Sequence, residues 1–166
     1  MDYAIQATLD PIAKTVDGHL TLRYTNTSPD TIPDLRFHLY LNAFKNQRST
    51  FWRESGGKLR DDKAASDGWG YVDVKTLKID GQDKTAQMEY IQPDGTDPDD
   101  KTVARVPLDT PLAPDATCVI ECDFHDKMPK VFARTGYRGN YFLIGQWFPK
   151  IGVWETKGER GRPEAG

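Results

Sequence analysis

Between Tyr3 and Phe44 the chain alternates apolar and polar residues with a period of two. Leu20, Leu22 and Tyr24 interleave with Thr21, Arg23 and Thr25, and Leu35, Phe37 and Leu39 with Arg36, His38 and Tyr40. That period places every second side chain on one face of a strand, so the segment folds as half-buried sheet. Tyr3, Ile5, Ala7 and Leu9 give a first strand over 3–9, ended by Asp10-Pro11 because proline cannot donate to a ladder. Asp17-Gly18 is a hairpin-type signal, which predicts a turn before a second strand over 19–27. A loop rich in Asn, Ser, Pro and Asp follows, and a third strand is expected over 34–41.

The same pattern recurs downstream. Strands are expected over 71–80, closed by Asp80-Gly81, over 86–92 and 102–108 as a hairpin, and over 117–124. The dense apolar run Tyr141 to Phe148 is expected to be a central strand. Ser49 to Glu54 suits a short helix capped by Ser49 and stopped by Gly56-Gly57, and Lys58 to Gly70 is a polar loop. The fold class is therefore all-β, a single sandwich or saddle-like domain of about eight mostly antiparallel strands with one short helix. Residues 1–157 form that domain, and 158–166 are a loop or tail.

Composition narrows the function. At 166 residues the chain can bury roughly 70% of its unfolded surface. Mean hydropathy is only -0.66, but four Trp, seven Tyr and seven Phe supply a core. A net charge of -3 without a basic block argues against nucleic acid. No run approaches the ~20 apolar residues of a membrane span. No signal peptide is visible, since Asp2 and Gln6 interrupt any early apolar run. Cys118 and Cys122 share a strand face about 13 Å apart, too far for a disulfide, and are expected as buried thiols.

No catalytic constellation assembles. A zinc peptidase places two His one helical turn apart beside a Glu, whereas His19, His38 and His125 are scattered over strand-like segments. Cys118, Cys122 and His125 are spread along one strand. There is no Gly-x-Ser-x-Gly elbow, and Ser28, Ser49, Ser55 and Ser66 lie in loops or at a cap. Asp94, Asp97, Asp99 and Asp100 lack the spacing of a calcium loop and suit a solvated hairpin tip. Catalytic and metal-ligating residues are therefore expected to be none. Aromatics as dense as those of 140–155 suit a core. Gln146 and Lys150 are the polar exceptions, and Gln146 needs a partner for its amide, at an interface or in a cleft.

Two stretches carry a resemblance. One runs from Tyr3 through Asp10-Pro11, Val16-Asp17-Gly18 and Tyr24-Thr25-Asn26-Thr27-Ser28 to Leu35-Arg36-Phe37-His38-Leu39-Tyr40-Leu41-Asn42-Ala43-Phe44. The other is Gly145-Gln146-Trp147-Phe148-Pro149-Lys150-Ile151-Gly152-Val153-Trp154-Glu155. Together they resemble the N-terminal domain of the aminopeptidase N family of zinc metallopeptidases, the gluzincin aminopeptidases, in a bacterial branch with a Gly-Gln-Trp-Phe-Pro-Lys signature. The resemblance implies a non-catalytic β saddle packed on a separate catalytic domain. That domain would carry His-Glu-x-x-His, a further Glu and the zinc. Neither that motif nor a Gly-x-Met-x-Asn strand exists here, so zinc would belong to the parent and not to this chain.

The same resemblance implies a list of surface roles. Trp147, Phe148, Lys150 and Trp154 would dock on the catalytic domain of the same polypeptide. The family's anchor for a substrate α-amine falls at Asn140, with Arg138 two residues earlier, so the anchor is absent or shifted. Asn140, Gln146 and Glu155 are then the candidates to face a peptide in the cleft. The parent would cleave peptides near their N-terminus and could be exported, periplasmic or membrane-associated. Further strand would follow this chain, leaving a sheet edge exposed to pair two copies as a dimer. The alternative is a free-standing carbohydrate- or protein-binding module with Trp52 and Trp69 as stacking platforms.

Overall fold

The structure is a computed structural model that describes residues 1–56, 58–59, 62–63, 67–93, 97–130 and 134–158. In chain order the strands are β1 (Asp2–Asp10), β2 (Thr15–Thr25), β3 (Ile32–His38), β4 (Lys58–Leu59), β5 (Asp62–Lys63), β6 (Tyr71–Ile79) and β7 (Gln82–Asp83). They continue with β8 (Glu89–Ile91), β9 (Val103–Leu112), β10 (Thr117–Lys127), β11 (Gly136–Arg138), β12 (Tyr141–Leu143) and β13 (Lys150–Ile151). The helix α1 (Thr50–Ser55) follows β3.

Two antiparallel sheets face each other. One has the order β1-β2-β10-β6-β7, the other β13-β3-β9-β8. The first contributes Leu20, Leu22, Ile120, Phe124, Val72 and Leu77 to the interior, and the second Leu35, Phe37, Ala104 and Val106. These are the alternate residues of each strand, as the period-two pattern requires. The all-β sandwich expected from the sequence is the fold observed. Cys118 and Cys122 are buried and free. Burial pushes their thiols up, to about 11 and about 12 respectively, so both are un-ionised and inert.

Two asparagines pin the loops. Asn26 is fully buried and donates to the carbonyls of Asp30 and Leu112, while its own oxygen accepts from Ser28. Asn42 donates to Lys101 O and accepts from Val72 N, which ties the turn after β3 to β6 and to the loop before β9. Much of the Asn-Thr-Ser and Asn-Ala-Phe pattern is thus accounted for by buried polar groups finding partners.

Several expectations need correction. Asp17-Gly18 is not a turn but the interior of β2, and the hairpin lies at 11–14. There Asp10 Oδ1 accepts from Ile12 N and Ala13 N, an Asx turn. Gly18 is required by a distant partner, because a Cβ there would stand 2.2 Å from the Phe124 ring. The third strand stops at His38, and a 3-10 turn over Tyr40–Phe44 buries Leu41 to Phe44. The expected strand Tyr141 to Phe148 survives only as β12, paired with β11 in a two-stranded ribbon. Gln146 is left-handed (φ 55°), and a Cβ at Gly145 would stand 2.8 Å from Arg134 O, so that position needs glycine. Both break the extended run. α1 starts as expected, with Ser49 Oγ accepting from Trp52 N, and ends at left-handed Gly56. Part of the polar loop after it pairs as β4–β5.

Candidate functional site

The segment 144–155, which contains the second of the two resembling stretches, forms a strap along one open side of the sandwich. Trp147 packs on Phe124 with ring centroids 5.7 Å apart, and on Phe148 at 5.5 Å. Phe148 meets the Tyr3 ring at 5.4 Å. Ile151 N donates to Tyr3 Oη, and Gly152 N to Arg36 O. Trp154 Nε1 donates to Asp30 Oδ2. The strap therefore touches both sheets: its own residues 150–151 are β13, paired with β3, while its rings and amide meet Phe124 of β10 and Tyr3 of β1. Trp147, Phe148 and Trp154 are half-buried, and Lys150 is exposed.

The ribbon before the strap is held by Lys14, whose Nζ donates to Gly139 O and lies over the Tyr137 and Phe142 rings. The opposite ribbon face carries Tyr141 and Leu143, 64% and 44% exposed, and Val153 on the strap is 66% exposed. Asn140 at the ribbon tip and Gln146 are exposed, but Glu155 is buried at 7%. The ribbon sits at the Thr15 end of β2, whereas Glu155 lines a groove with Tyr24 at the other end. Those strand ends are about 30 Å apart at roughly 3.3 Å per residue. Asn140 and Glu155 are thus not brought together.

That groove has a volume of about 330 Å³ and is walled by Tyr24, Leu35, Arg36, His38, Trp154 and Glu155. Burial and the neighbouring Lys150 ammonium hold His38 below the usual imidazole value, so it is neutral there. Arg36 Nε is paired with Asp34 at 3.0 Å.

A second hollow of about 410 Å³ lies on the outer face of the larger sheet. Gln6, Thr8, Asp17, His19, Lys75 and Asp123 line it. Asp123 accepts from Thr76 Oγ1 at 2.5 Å and lies 2.6 Å from His19 Nδ1. These contacts, the Thr76 hydroxyl first, hold its carboxyl below the ordinary range. His125 Nδ1 pairs with Asp17 at 2.7 Å one row along. A Thr–Asp–His chain can orient a base, but acyl transfer also needs an adjacent nucleophile. Ser28 is committed to Asn26 and Ser49 to the helix cap, Ser55 donates to Trp52 O, and Ser66 lies outside the described residues. Among the described residues no group of three or more His, Cys, Asp or Glu is placed to hold a metal ion.

The acidic loop differs from a solvated tip. Asp97 and Asp99 pair with Arg48. Asp100 is 6% exposed and accepts from the N–H and hydroxyl of both Thr50 and Thr102. Burial alone would raise its carboxyl, yet these bonds outweigh it and the pKa is lowered. Asp94 lies outside the described residues. Trp52 and Trp69 pack on each other at 5.3 Å and are half-buried. Sequence reasoning missed Asp126, a fully buried carboxyl with neither oxygen hydrogen-bonded. Its one signal was position, since it continues the inward-facing series Cys118, Ile120, Cys122 and Phe124.

No protein-family profile matches the chain, and no curated protein matches it. Among solved structures the chain is similar to an M1 zinc metallopeptidase from Deinococcus radiodurans, a mutant captured with a Tyr-Ser-Ala substrate. The two are 13% identical with a TM-score of 0.45, over 86% of this chain and 23% of that one. This is a loose structural relation, and the chain spans under a quarter of that protein. No helix among the described residues is long and apolar enough to cross a membrane.

Proposed function

We propose that this chain is the non-catalytic β lobe of an aminopeptidase-N-like zinc peptidase, packing on the zinc lobe of the same polypeptide and walling its substrate cleft. The observation that carries the reading is the uneven burial of the signature region. Trp147 and Phe148 turn inward to build this domain, while Tyr141 and Leu143 on the ribbon just before them present apolar surface outward. Exposed large apolar side chains concentrated on one segment mark a contact surface. Lys150 is exposed on the strap, and Asn140 and Gln146 flank the exposed ribbon residues, which suits groups at the rim of a peptide cleft. Zinc and the peptide-cleaving groups would be supplied by the other lobe.

The reading requires coding sequence past Gly166 that specifies a lobe with His-Glu-x-x-His. That lobe, produced separately, should bind this chain in a titration calorimeter. Tyr141→Asp combined with Leu143→Asp should weaken binding at least about tenfold, or roughly 1.4 kcal/mol. Both positions are exposed, so the thermal midpoint of the free chain should barely move. The chain alone should carry no stoichiometric zinc and leave aminoacyl-anilides uncleaved. Hydrolysis by the chain alone, a stop codon soon after Gly166, or undiminished binding by the double variant overturns the reading.

A further inference from the structure

Sheet edges expose unpaired N–H and C=O groups, and natural proteins shorten, bulge or charge them to prevent pairing. Among the described residues the two larger sheets have four edge strands, and three obey that rule: β7 and β13 have two residues each and β8 has three. The fourth, β1, has nine and pairs with β2 in unbroken register from Asp2 to Asp10. It contains no Pro, Lys or Arg and no bulge, and its only charges are its two end residues. Among the described residues its backbone pairs with no strand but β2, so about half of its N–H and C=O groups point outward. Gln6 to Asp10 are all exposed, with Leu9 at 40%.

We propose that β1 is a self-recognition edge, on which two copies of this chain pair antiparallel with Ala7 on the twofold axis. The sequence of the strand selects both the partner and the register. Centring on Ala7 sets Ile5 opposite Leu9 on the inner face and Gln6 opposite Thr8 on the outer face. Apolar meets apolar and amide meets hydroxyl, and each exposed Leu9 gains a covering side chain. Asp10 faces Ala4. Centring on Gln6 would instead oppose Asp2 and Asp10, a like-charge contact that disfavours pairing. Centring on Ile5 would use Tyr3, whose ring and hydroxyl are already held by Phe148 and Ile151. The Ala7 register spans Ala4 to Asp10, which includes the whole exposed run Gln6–Asp10 and leaves Tyr3 out. The product is one ten-stranded sheet running through both copies, with the ribbon and strap left accessible.

Sedimentation velocity from low micromolar to near-millimolar chain tests this. The chain should shift from monomer to dimer. Ala7→Lys, at an exposed position, should remain monomeric while keeping its circular dichroism spectrum and thermal midpoint. Ala7→Glu should do the same, and mixing the two variants should restore the dimer by pairing opposite charges on the axis. Under oxidation Ala7→Cys should crosslink into dimers, whereas Ala4→Cys, which faces Asp10 in this register, should not. A chain that stays monomeric throughout, or an association that survives Ala7→Lys, overturns the proposal. These variants leave Tyr141 and Leu143 untouched, so the outcome is independent of the lobe-docking reading.

Discussion

A carboxylic acid buried away from water, with neither oxygen hydrogen-bonded, keeps its proton at neutral pH. Asp126 is in that state, with burial, and secondarily the Asp17 charge, raising its pKa to about 8. Its value in the unfolded chain is about 3.9. Between those two values the native state binds the extra proton, so stability falls as pH rises across the window and levels off above about 8. The slope approaches 1.4 kcal/mol per pH unit at most, roughly the cost of one pKa unit. Asp126→Asn removes the titration, and urea unfolding followed from pH 5 to about 8 should lose that downward slope. An unchanged pH profile in the variant would show that Asp126 is ionised in the native state. Asp123 acts in the opposite sense, its lowered pKa contributing stability that is lost as pH falls through the native value.

Among the elements, β2 shows where local signals mislead. An Asp-Gly pair between alternating strands is a strong hairpin signal when only neighbours are considered. Gly18 instead lies directly across from Phe124, and its missing side chain is what makes room for that ring. Gly18→Ala should cost about 2–3 kcal/mol in chemical denaturation, since Phe124 is 2% exposed and cannot swing out of a packed core. Combining it with Phe124→Leu should recover part of that loss, and equal stability of the single variant and the native chain would refute the account. The strands themselves were legible because a period of two needs no knowledge of the partner. The Tyr141 to Phe148 run was misread for the complementary reason. Its apolar density announces burial, but the left-handed backbone at Gln146 and the contact with Arg134 depend on residues elsewhere in the chain. Likewise Asp100 among its acidic neighbours carries no mark of the two threonines that enclose it.

Across the whole molecule the strap has one job the contacts display, stabilising this domain, and on the proposed reading it would have a second, docking. Trp147 and Phe148 tie the β1 side of one sheet to the β13 side of the other, so they stabilise this domain whether or not a second lobe is present. Trp147→Ala should cost about 2–3 kcal/mol of the chain's own stability, toward the low end for a large aromatic because the ring is half-buried. A loss of partner binding with no loss of stability would assign the ring to docking alone. Aromatic density in the sequence announced packing around 140–155, and the family resemblance grouped Asn140, Gln146 and Glu155. The sequence held no information on which rings face inward, nor on the length of β2 that separates Asn140 from Glu155. Such distances are properties of sheet packing.

The order of strands also governs how the chain emerges from a ribosome. The first hairpin is made early, yet β2 waits for β10, whose residues pair across gaps such as the 92 positions between Thr25 and Thr117. The strap arrives later still, so the hydroxyl of Tyr3 waits for an amide nearly a whole chain length away. Loops that long are slow to close. Until residue 151 has been added the nascent protein holds a finished hairpin without its strap, a period in which chaperone capture or premature pairing of neighbouring chains on one messenger competes with folding.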